Sequence, residues 1–119
     1  MLKKFWKACH NAHANRVKIK ENSWLAKLAA RKLKSDKMAM VIGHTIHLHN
    51  TTKEEFLNDE RWLRHELKHV EQYKKHGVAG FLCKYLWQSL RHGYHDNVFE
   101  KEARESETEI SKINFKDFN

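Results

Sequence analysis

The stretch Arg64-His65-Glu66-Leu67-Lys68-His69-Val70 decides how the rest of the chain is interpreted. It contains the pattern His-Glu-x-x-His, and the apolar residues around it recur at helical spacing. Two imidazoles at positions i and i+4 lie on one helix face and can both reach a single Zn²⁺, while the glutamate projects beside them toward a metal-bound water. The stretch therefore predicts a helix that carries two metal ligands and a glutamate, and the chemistry it indicates is hydrolysis by a metal-activated water. The alternative is a pair of surface histidines on an amphipathic helix.

Capping residues give this helix clear limits. Residues 51–55 contain two overlapping capping boxes, Asp59 offers a second helix start, and Gly77 follows a basic last turn. Upstream, residues 24–33 place apolar side chains on a helical stripe that we expect to pack in the core. The stripe comprises Trp24, Leu25, Leu28, Ala29 and Leu33.

Two short strands are predicted between these helices, over residues 38–42 and 45–49. Gly43-His44 between them suits a two-residue type II′ turn, which favours glycine first. Side chains alternate along a strand, so Ile46 and Leu48 should face the core, and Thr45, His47 and His49 the solvent.

The C-terminal half predicts two further helices. Residues 78–91 are strongly apolar and end near Gly93, so we expect this helix to support the metal-site helix. Asn97 caps a polar helix that should continue to about residue 112, followed by a loose tail over 113–119. The N-terminal residues 1–22 form a basic segment in which a short helix over 3–14 is possible.

A third metal ligand is available on the last of these helices. Catalytic zinc sites keep three protein ligands and one open position, and Glu100 or Glu102 could complete a His₂Glu set with His65 and His69. That ligand set favours zinc over other divalent ions.

Two segments resemble the small gluzincin-type, thermolysin-like metallopeptidases known as minigluzincins. They are His65-Glu-Leu-Lys-His69-Val-Glu-Gln72 and Asn97-Val98-Phe99-Glu100-Lys101-Glu102-Ala103-Arg104, with Gly77 and Tyr85 between them. The resemblance covers about residues 44–106. It implies a zincin-like α+β fold, mostly helical, in which a small antiparallel sheet packs on an active-site helix followed by a glutamate helix.

The resemblance also implies roles for individual residues. Glu100 maps onto the third zinc ligand of the family, so Zn²⁺ is expected on His65, His69 and Glu100. The family has an aspartate that supports a ligating histidine where this chain has Arg104; Glu102 or Glu105 could substitute for it.

The resulting hypothesis is a zinc metallopeptidase acting on a peptide or protein. Zinc would acidify a water and polarise the peptide carbonyl, while Glu66 acts as general base and then protonates the leaving amine. An extended substrate could add to the free edge of the hairpin. Tyr94 is the candidate for stabilising the oxyanion, with His92 and His95 as alternatives.

Composition bounds the remaining possibilities. The 119 residues predict one domain, and Cys9 and Cys83, the two cysteines, do not indicate a disulfide framework. No apolar run is long enough to cross a membrane, and we expect a cytoplasmic protein. Residues 1–50 carry 11 Lys and Arg against two acidic residues, which allows nucleic-acid binding but is commoner in a solvated lysine-rich surface.

Two other function classes stay open from the sequence. One is a non-catalytic, zinc-stabilised binding module with a basic N-terminal arm, and the other is a basic nucleic-acid-binding protein without metal. The substrate preference and the oligomeric state do not follow from the residues.

Overall fold

The computed structural model describes residues 17–109, 113 and 118. The possible helix over residues 3–14, and with it Cys9, lies outside the described residues. The fold is α+β, as predicted. In chain order its elements are β1 (Lys18–Lys20), α1 (Trp24–Leu33), β2 (Met38–Ile42), β3 (Thr45–His49), α2 (Lys53–Asn58), α3 (Glu60–His76), α4 (Val78–Asp96) and α5 (Val98–Ser106).

The sheet has three strands in the order β1-β3-β2, with β2 antiparallel and β1 parallel to β3. The predicted hairpin has its expected limits, and Gly43 adopts the positive φ, 64°, that the first position of a type II′ turn requires. Strand β1 was not predicted, because three residues of basic sequence carry too little alternation to signal a strand. Strand β2 lies at an edge of the sheet.

The two faces of the sheet are both covered to some extent. Ile46 and Leu48 are fully buried in the core, as predicted. The opposite face is not simply solvent-facing, which corrects our expectation for the histidines of β3. His47 is half-buried, and its Nδ1 lies 2.8 Å from the hydroxyl of Ser23, the residue that caps α1. Burial and the nearby Lys20 lower the pKa of His47.

The hydrophobic core lies between the sheet and α2, α3 and α4. Its buried side chains come from every one of these elements. They are Val17, Val41, Ile46, Leu48, Phe56, Leu63, Val70, Tyr73 and Phe81.

Helix α1 packs on the sheet with a different face from the one predicted. Its buried residues are Ala26 and Ala30, whereas Trp24 is 64% exposed and Leu28 53% exposed. The small alanine side chains let the helix approach the sheet closely, and this rotates the larger apolar side chains outward. The expectation that the Trp24–Leu33 stripe forms core is therefore wrong for Trp24, Leu28 and Leu33.

Helix α4 differs from expectation in the same way. It buries Phe81, but Leu86, Trp87 and Leu90 remain exposed. Because the metal-site helix α3 and the last helix α5 cover one side of α4, its other apolar side has no neighbour among the described residues. The helix packs against α3, as predicted, but through one side only.

The capping residues place α3 as the sequence predicted. Thr52 and Glu55 form a complete capping box at α2, Asp59 accepts a hydrogen bond from the Trp62 N–H at the start of α3, and α3 ends at Gly77, whose φ is 77°.

Helix α5 is shorter than predicted. It ends at Ser106 and does not continue to residue 112. Both described residues of the tail, Ile113 and Phe118, pack against the core, and Phe118 pairs with Val17. At these two positions the expected loose tail is corrected. Within the described part of the chain, no helix is long and apolar enough to cross a membrane.

Candidate metal centre

Three side chains converge between α3 and α5. His65 and His69 lie one turn apart on α3, and Glu100 lies in the first turn of α5, held there by the N-cap Asn97. One ligand atom from each lies within 4.8 Å of the others. His65 Nε2 is 3.1 Å from Glu100 Oε1, and His69 Nε2 is 3.2 Å from Glu100 Oε2. The structure thus brings together the His₂Glu set that the sequence predicted.

Each histidine is oriented by an oxygen atom at its other ring nitrogen. His65 Nδ1 lies 2.8 Å from Glu107 Oε2, and His69 Nδ1 lies 2.9 Å from Gln72 Oε1. A ring nitrogen that faces such an acceptor carries the proton, so in the neutral ring Nε2 holds the lone pair that a metal needs. Both Nε2 atoms point to the same place, and the donor set therefore fits a divalent metal such as zinc.

Gln72 is itself fixed by two acceptors. Its amide nitrogen donates to the Glu102 carboxylate at 2.8 Å and to the Phe99 carbonyl at 3.1 Å, so its oxygen must face His69. Glu102, one of the two residues expected to replace the missing aspartate, therefore acts on His69 through Gln72. The other, Glu105, makes no side-chain hydrogen bond to Gln72 or to either histidine within the described part of the chain.

Glu107 takes over the direct contact with a histidine. It lies just beyond the last residue of α5, two turns after Glu100, and its second oxygen accepts a hydrogen bond from Arg61 at 3.1 Å. Arg104, at the position of the family's aspartate, donates to the carbonyl of His95 at 2.6 Å. Glu107 thus makes the contact with a histidine that was expected of the aspartate, from a position that the sequence did not indicate.

Glu100 is buried and has a third partner. The Tyr85 hydroxyl of α4 donates to Glu100 Oε2 at 2.5 Å. Burial raises the pKa of Glu100, but His65 and His69, which donate to it when their rings are protonated, and the Tyr85 hydroxyl outweigh this effect and hold that pKa well below its ordinary range. The Glu100 carboxyl group is therefore ionised, and its oxygen atoms are suited to bind a metal cation. Burial lowers the pKa of both histidines, but the carboxylates around them outweigh it and raise both values.

Glu66 has a different environment from Glu100. Its side chain is buried, and this burial, together with the charges of Glu100 and Glu107, raises its pKa to about 8 against the opposing effect of His69. A carboxyl group with such a pKa is suited to proton transfer near neutral pH.

A cavity opens directly at these residues. It measures about 420 Å³ and is lined by His65, Glu66, His69 and Glu100 on one side and by all five residues of the edge strand β2 on another. A second, more open cavity of about 710 Å³ also contacts His65 and Glu66 and extends to Glu107. The two share Leu33, Met38, Ala39 and Tyr94, so we treat them as one cleft.

Tyr94, although 50% exposed, lines both parts of this cleft, whereas His92 and His95, the alternatives for the oxyanion, line neither part. Burial, Glu100 and Glu66 raise the pKa of Tyr94, so its hydroxyl stays protonated and able to donate.

Three residues that position the site were not predicted from the sequence. Helical spacing could have indicated each of them, because it places each on the same helix face as a residue already singled out. Glu107 lies seven residues after Glu100, Gln72 three residues after His69, and Tyr85 four residues after the buried Phe81.

A comparison with models of known protein families gives one match. The model of a family described as the eCIS core domain matches residues 3–77, which is more than half of the chain. The chain belongs to the eCIS core domain family. The matched part of this eCIS core domain contains His65, Glu66 and His69, whereas Glu100 lies beyond it. No curated protein and no solved structure matches the chain.

Proposed function

We propose that this eCIS core domain is a zinc-dependent peptidase of the gluzincin type. The observation that carries the proposal is the position of the cleft. The metal ligands, the buried Glu66 and the edge strand β2 all border the same cavity. A purely structural zinc site is closed by its protein ligands, whereas a catalytic site faces a cleft in which a substrate can reach the metal.

The edge strand supports an extended peptide as the substrate. Strand β2 pairs with β3 on one side, and its five residues line the cleft. An extended peptide lying in the cleft would pair with the backbone N–H and C=O groups on the other edge, which bind any sequence in extended form. The scissile bond would then pass beside Glu66.

The chemistry is divided between the metal and the chain. Zinc held by His65, His69 and Glu100 would supply a Lewis acid that polarises the scissile carbonyl and makes water more acidic. Glu66 accepts a proton from the attacking water as the water oxygen bonds to the carbonyl carbon. It then transfers this proton to the leaving amine as the C–N bond breaks. Tyr94, which lines the cleft, donates a hydrogen bond from its hydroxyl to the developing oxyanion.

Metal content and cleavage should separate the roles of the ligands and the base. We expect the purified full chain to contain about one zinc per molecule and to cleave a mixed peptide library. His65→Ala should lose both the zinc and the cleavage, whereas Glu66→Gln should keep the zinc and lose at least about 100-fold in cleavage rate. His44→Ala, at an exposed histidine in the hairpin turn, is the matched control and should change neither.

Two results would contradict the proposal. If His65→Ala retains its zinc, the ligand assignment is wrong. If Glu66→Gln cleaves at the wild-type rate, or if the zinc-loaded wild type cleaves no peptide in the library, the peptidase assignment is wrong. In the last case the second candidate, a non-catalytic zinc-stabilised module, is favoured, since the family description names a core domain.

A further inference from the structure

Helix α4 forms one wall of the cleft, and its apolar surface continues beyond the cleft. Leu82, Leu86 and Leu90 follow one another at intervals of four residues, so they form one row along the helix. Leu82 is half-buried and lines the cleft, whereas Leu86 lines the cleft while 59% exposed. Leu90, which is 84% exposed, is not among the residues that line the cleft. The row therefore leads from the interior of the cleft to the outer surface of the protein.

Two further residues widen the outer part of this row. Cys83 and Trp87 follow Leu82 and Leu86 by one position, and both are exposed. The outer face of α4 consists of Cys83, Leu86, Trp87 and Leu90, which have the i, i+3, i+4 and i+7 spacing of a single helix face. Exposed apolar side chains grouped on one face, unlike scattered ones, indicate an interaction surface.

The charge beside the outer face is positive. Helix α4 carries Lys84 and Arg91 and has no acidic residue before Asp96 at its end. The Arg91 guanidinium lies 5.6 Å from the centre of the Trp87 ring, so this cation is part of the same surface. Within the part of the chain that the structure describes, Arg91 forms no ion pair with a carboxylate. The outer face thus suits a partner that is both apolar and acidic.

The cleft brings a substrate to this face. Strand β2 and helix α4 both pack on α3 and both line the cleft, so a peptide paired with β2 lies between them. Leu82 and Leu90 are eight residues apart, which is about 12 Å along a helix. About four residues of an extended chain span this length. A segment of that length beside the scissile bond therefore reaches from the cleft to the outer face.

We propose that the outer face of α4, together with Arg91, binds an apolar and acidic segment that lies to one side of the scissile bond in the protein substrate. The inference rests on the proposed peptidase function and names the kind of substrate that the site selects. Apolar side chains of the segment pack on Leu86, Trp87 and Leu90, and a carboxylate of the segment pairs with Arg91.

Other occupants fit the outer face less well. Segments that bind acidic membranes carry clusters of about four to eight cations, whereas α4 carries only Lys84 and Arg91. A second copy of this chain would bring a second Arg91 toward the first, so like charges would face each other.

Internally quenched peptides test the proposal with the zinc-loaded full chain. Each peptide joins a core that the wild type cleaves to a flank of about four residues, placed in turn at either end. The flanks alternate leucine with glutamate, leucine with lysine, or serine with glycine. We expect the leucine-glutamate flank at one end to give a kcat/KM about tenfold above that of the serine-glycine flank, through a lower KM with unchanged kcat. The leucine-lysine flank should gain less than about threefold.

Paired variants locate this gain on the outer face. Trp87→Ser with Leu90→Ser should reduce the ratio of the two kcat/KM values, leucine-glutamate over serine-glycine, from about ten to about one. Trp24→Ser with Leu28→Ser makes the same substitutions at exposed residues of α1 and should leave the ratio within about twofold of the wild type. All variants should keep the wild-type circular dichroism spectrum.

A second pair of variants tests the charge. Arg91→Gln should lower the same ratio about threefold, the size expected for an exposed ion pair, because it removes the partner of the glutamate side chains. Arg31→Gln removes an exposed arginine from α1 and should leave the ratio unchanged. The gain should also shrink as NaCl rises from about 0.1 M to about 0.5 M.

The docking and the peptidase function fail in different ways. Three results would overturn the docking while leaving the peptidase intact: a wild-type ratio near one, equal rates with the leucine-lysine and leucine-glutamate flanks, or equal losses in the α1 and α4 variants. If Trp87→Ser with Leu90→Ser then abolishes a dimer in light scattering, or sedimentation with phosphatidylserine vesicles, the outer face belongs to a second copy or to lipid.

A wild type that cleaves no peptide overturns the peptidase function. Fluorescence anisotropy of a dye-labelled leucine-glutamate peptide with the full chain then decides the docking. The docking is overturned unless the peptide binds and Trp87→Ser with Leu90→Ser weakens that binding.

Discussion

Replacing Glu107 with alanine should weaken zinc binding by about 30-fold. The reason is the 2.8 Å contact between Glu107 Oε2 and His65 Nδ1, which holds the ring with Nε2 toward Glu100. A hydrogen bond to a charged group contributes about 1.5–3 kcal/mol. The Glu107 side chain is 19% exposed, so water can partly replace it, and we take a value of about 2 kcal/mol. A factor of ten corresponds to about 1.4 kcal/mol, which converts this value to about 30-fold.

The assay is a zinc titration of the metal-free full chain in competition with a chromophoric chelator at fixed pH. Glu107→Gln keeps an oxygen that can accept from Nδ1 but loses the charge, so its loss of affinity should be about fivefold. Arg61, whose side chain is 73% exposed, contributes less, and Arg61→Ala should change the affinity by less than about threefold.

Glu105→Ala is the matched control for this series. It removes the same charge from the same end of α5, but its side chain is exposed and makes no contact with a ligating histidine. The reasoning would be refuted if Glu107→Ala bound zinc within about twofold of the wild type. It would also be refuted if Glu105→Ala lost as much affinity as Glu107→Ala, since the effect would then be one of net charge.

Three further predictions concern stability. In urea unfolding, Leu63→Ala should lower the free energy of unfolding by about 3 kcal/mol, because it leaves a cavity at a fully buried position of α3. Leu28→Ala should lower it by less than about 0.5 kcal/mol, because that side chain is 53% exposed. Equal losses for the two variants would place Leu28 in the core. Thr52→Ala breaks the capping box of α2 and should lower the free energy of unfolding by about 1 kcal/mol, and an unchanged urea midpoint would contradict this. Because burial and Lys20 lower the pKa of His47 from its ordinary 6.5, the unfolded chain takes up the proton first as the pH falls. The stability that His47 contributes should thus be lost as the pH falls from 6.5 through the folded-state pKa, and His47→Gln should reduce this pH dependence; parallel curves for variant and wild type would disprove it.

The parts of the site that sequence predicted are those with a local cause. His65 and His69 share a helix face because the helical repeat brings i and i+4 together, and the caps at Asp59 and Gly77 determine where that helix begins and ends. Glu100 was predicted because Asn97 starts a helix just ahead of it and because the segment resembles a known glutamate helix.

The parts that sequence missed depend on contacts between distant residues. Glu107 meets His65 across 42 positions of the chain, and Gln72 meets Glu102 across 30. Spacing along α5 places Glu107 on the same side as Glu100, but it does not say how far the helix lies from α3. Arg104 could not be interpreted for the same reason, since its contact with the His95 carbonyl depends on how the end of α4 is placed against α5.

The apolar stripes of α1 and α4 also show what helical spacing alone cannot predict. Helical spacing predicts correctly that Trp24 and Leu28, or Trp87 and Leu90, share a face, because spacing is a property of the local backbone. It does not predict which face meets the sheet, because that is decided by which side chains allow the closest approach, here Ala26 and Ala30.

By itself, the sequence determined the helices, the hairpin and the pairing of His65 with His69, all of which arise from interactions within a few residues. Only the tertiary structure decided that Glu107 and Gln72 orient those histidines, that the edge strand β2 borders the same cleft, and that no described residue covers the outer apolar faces of α1 and α4. The physical reason is that these features depend on the relative placement of whole elements, which the packing of the complete core determines.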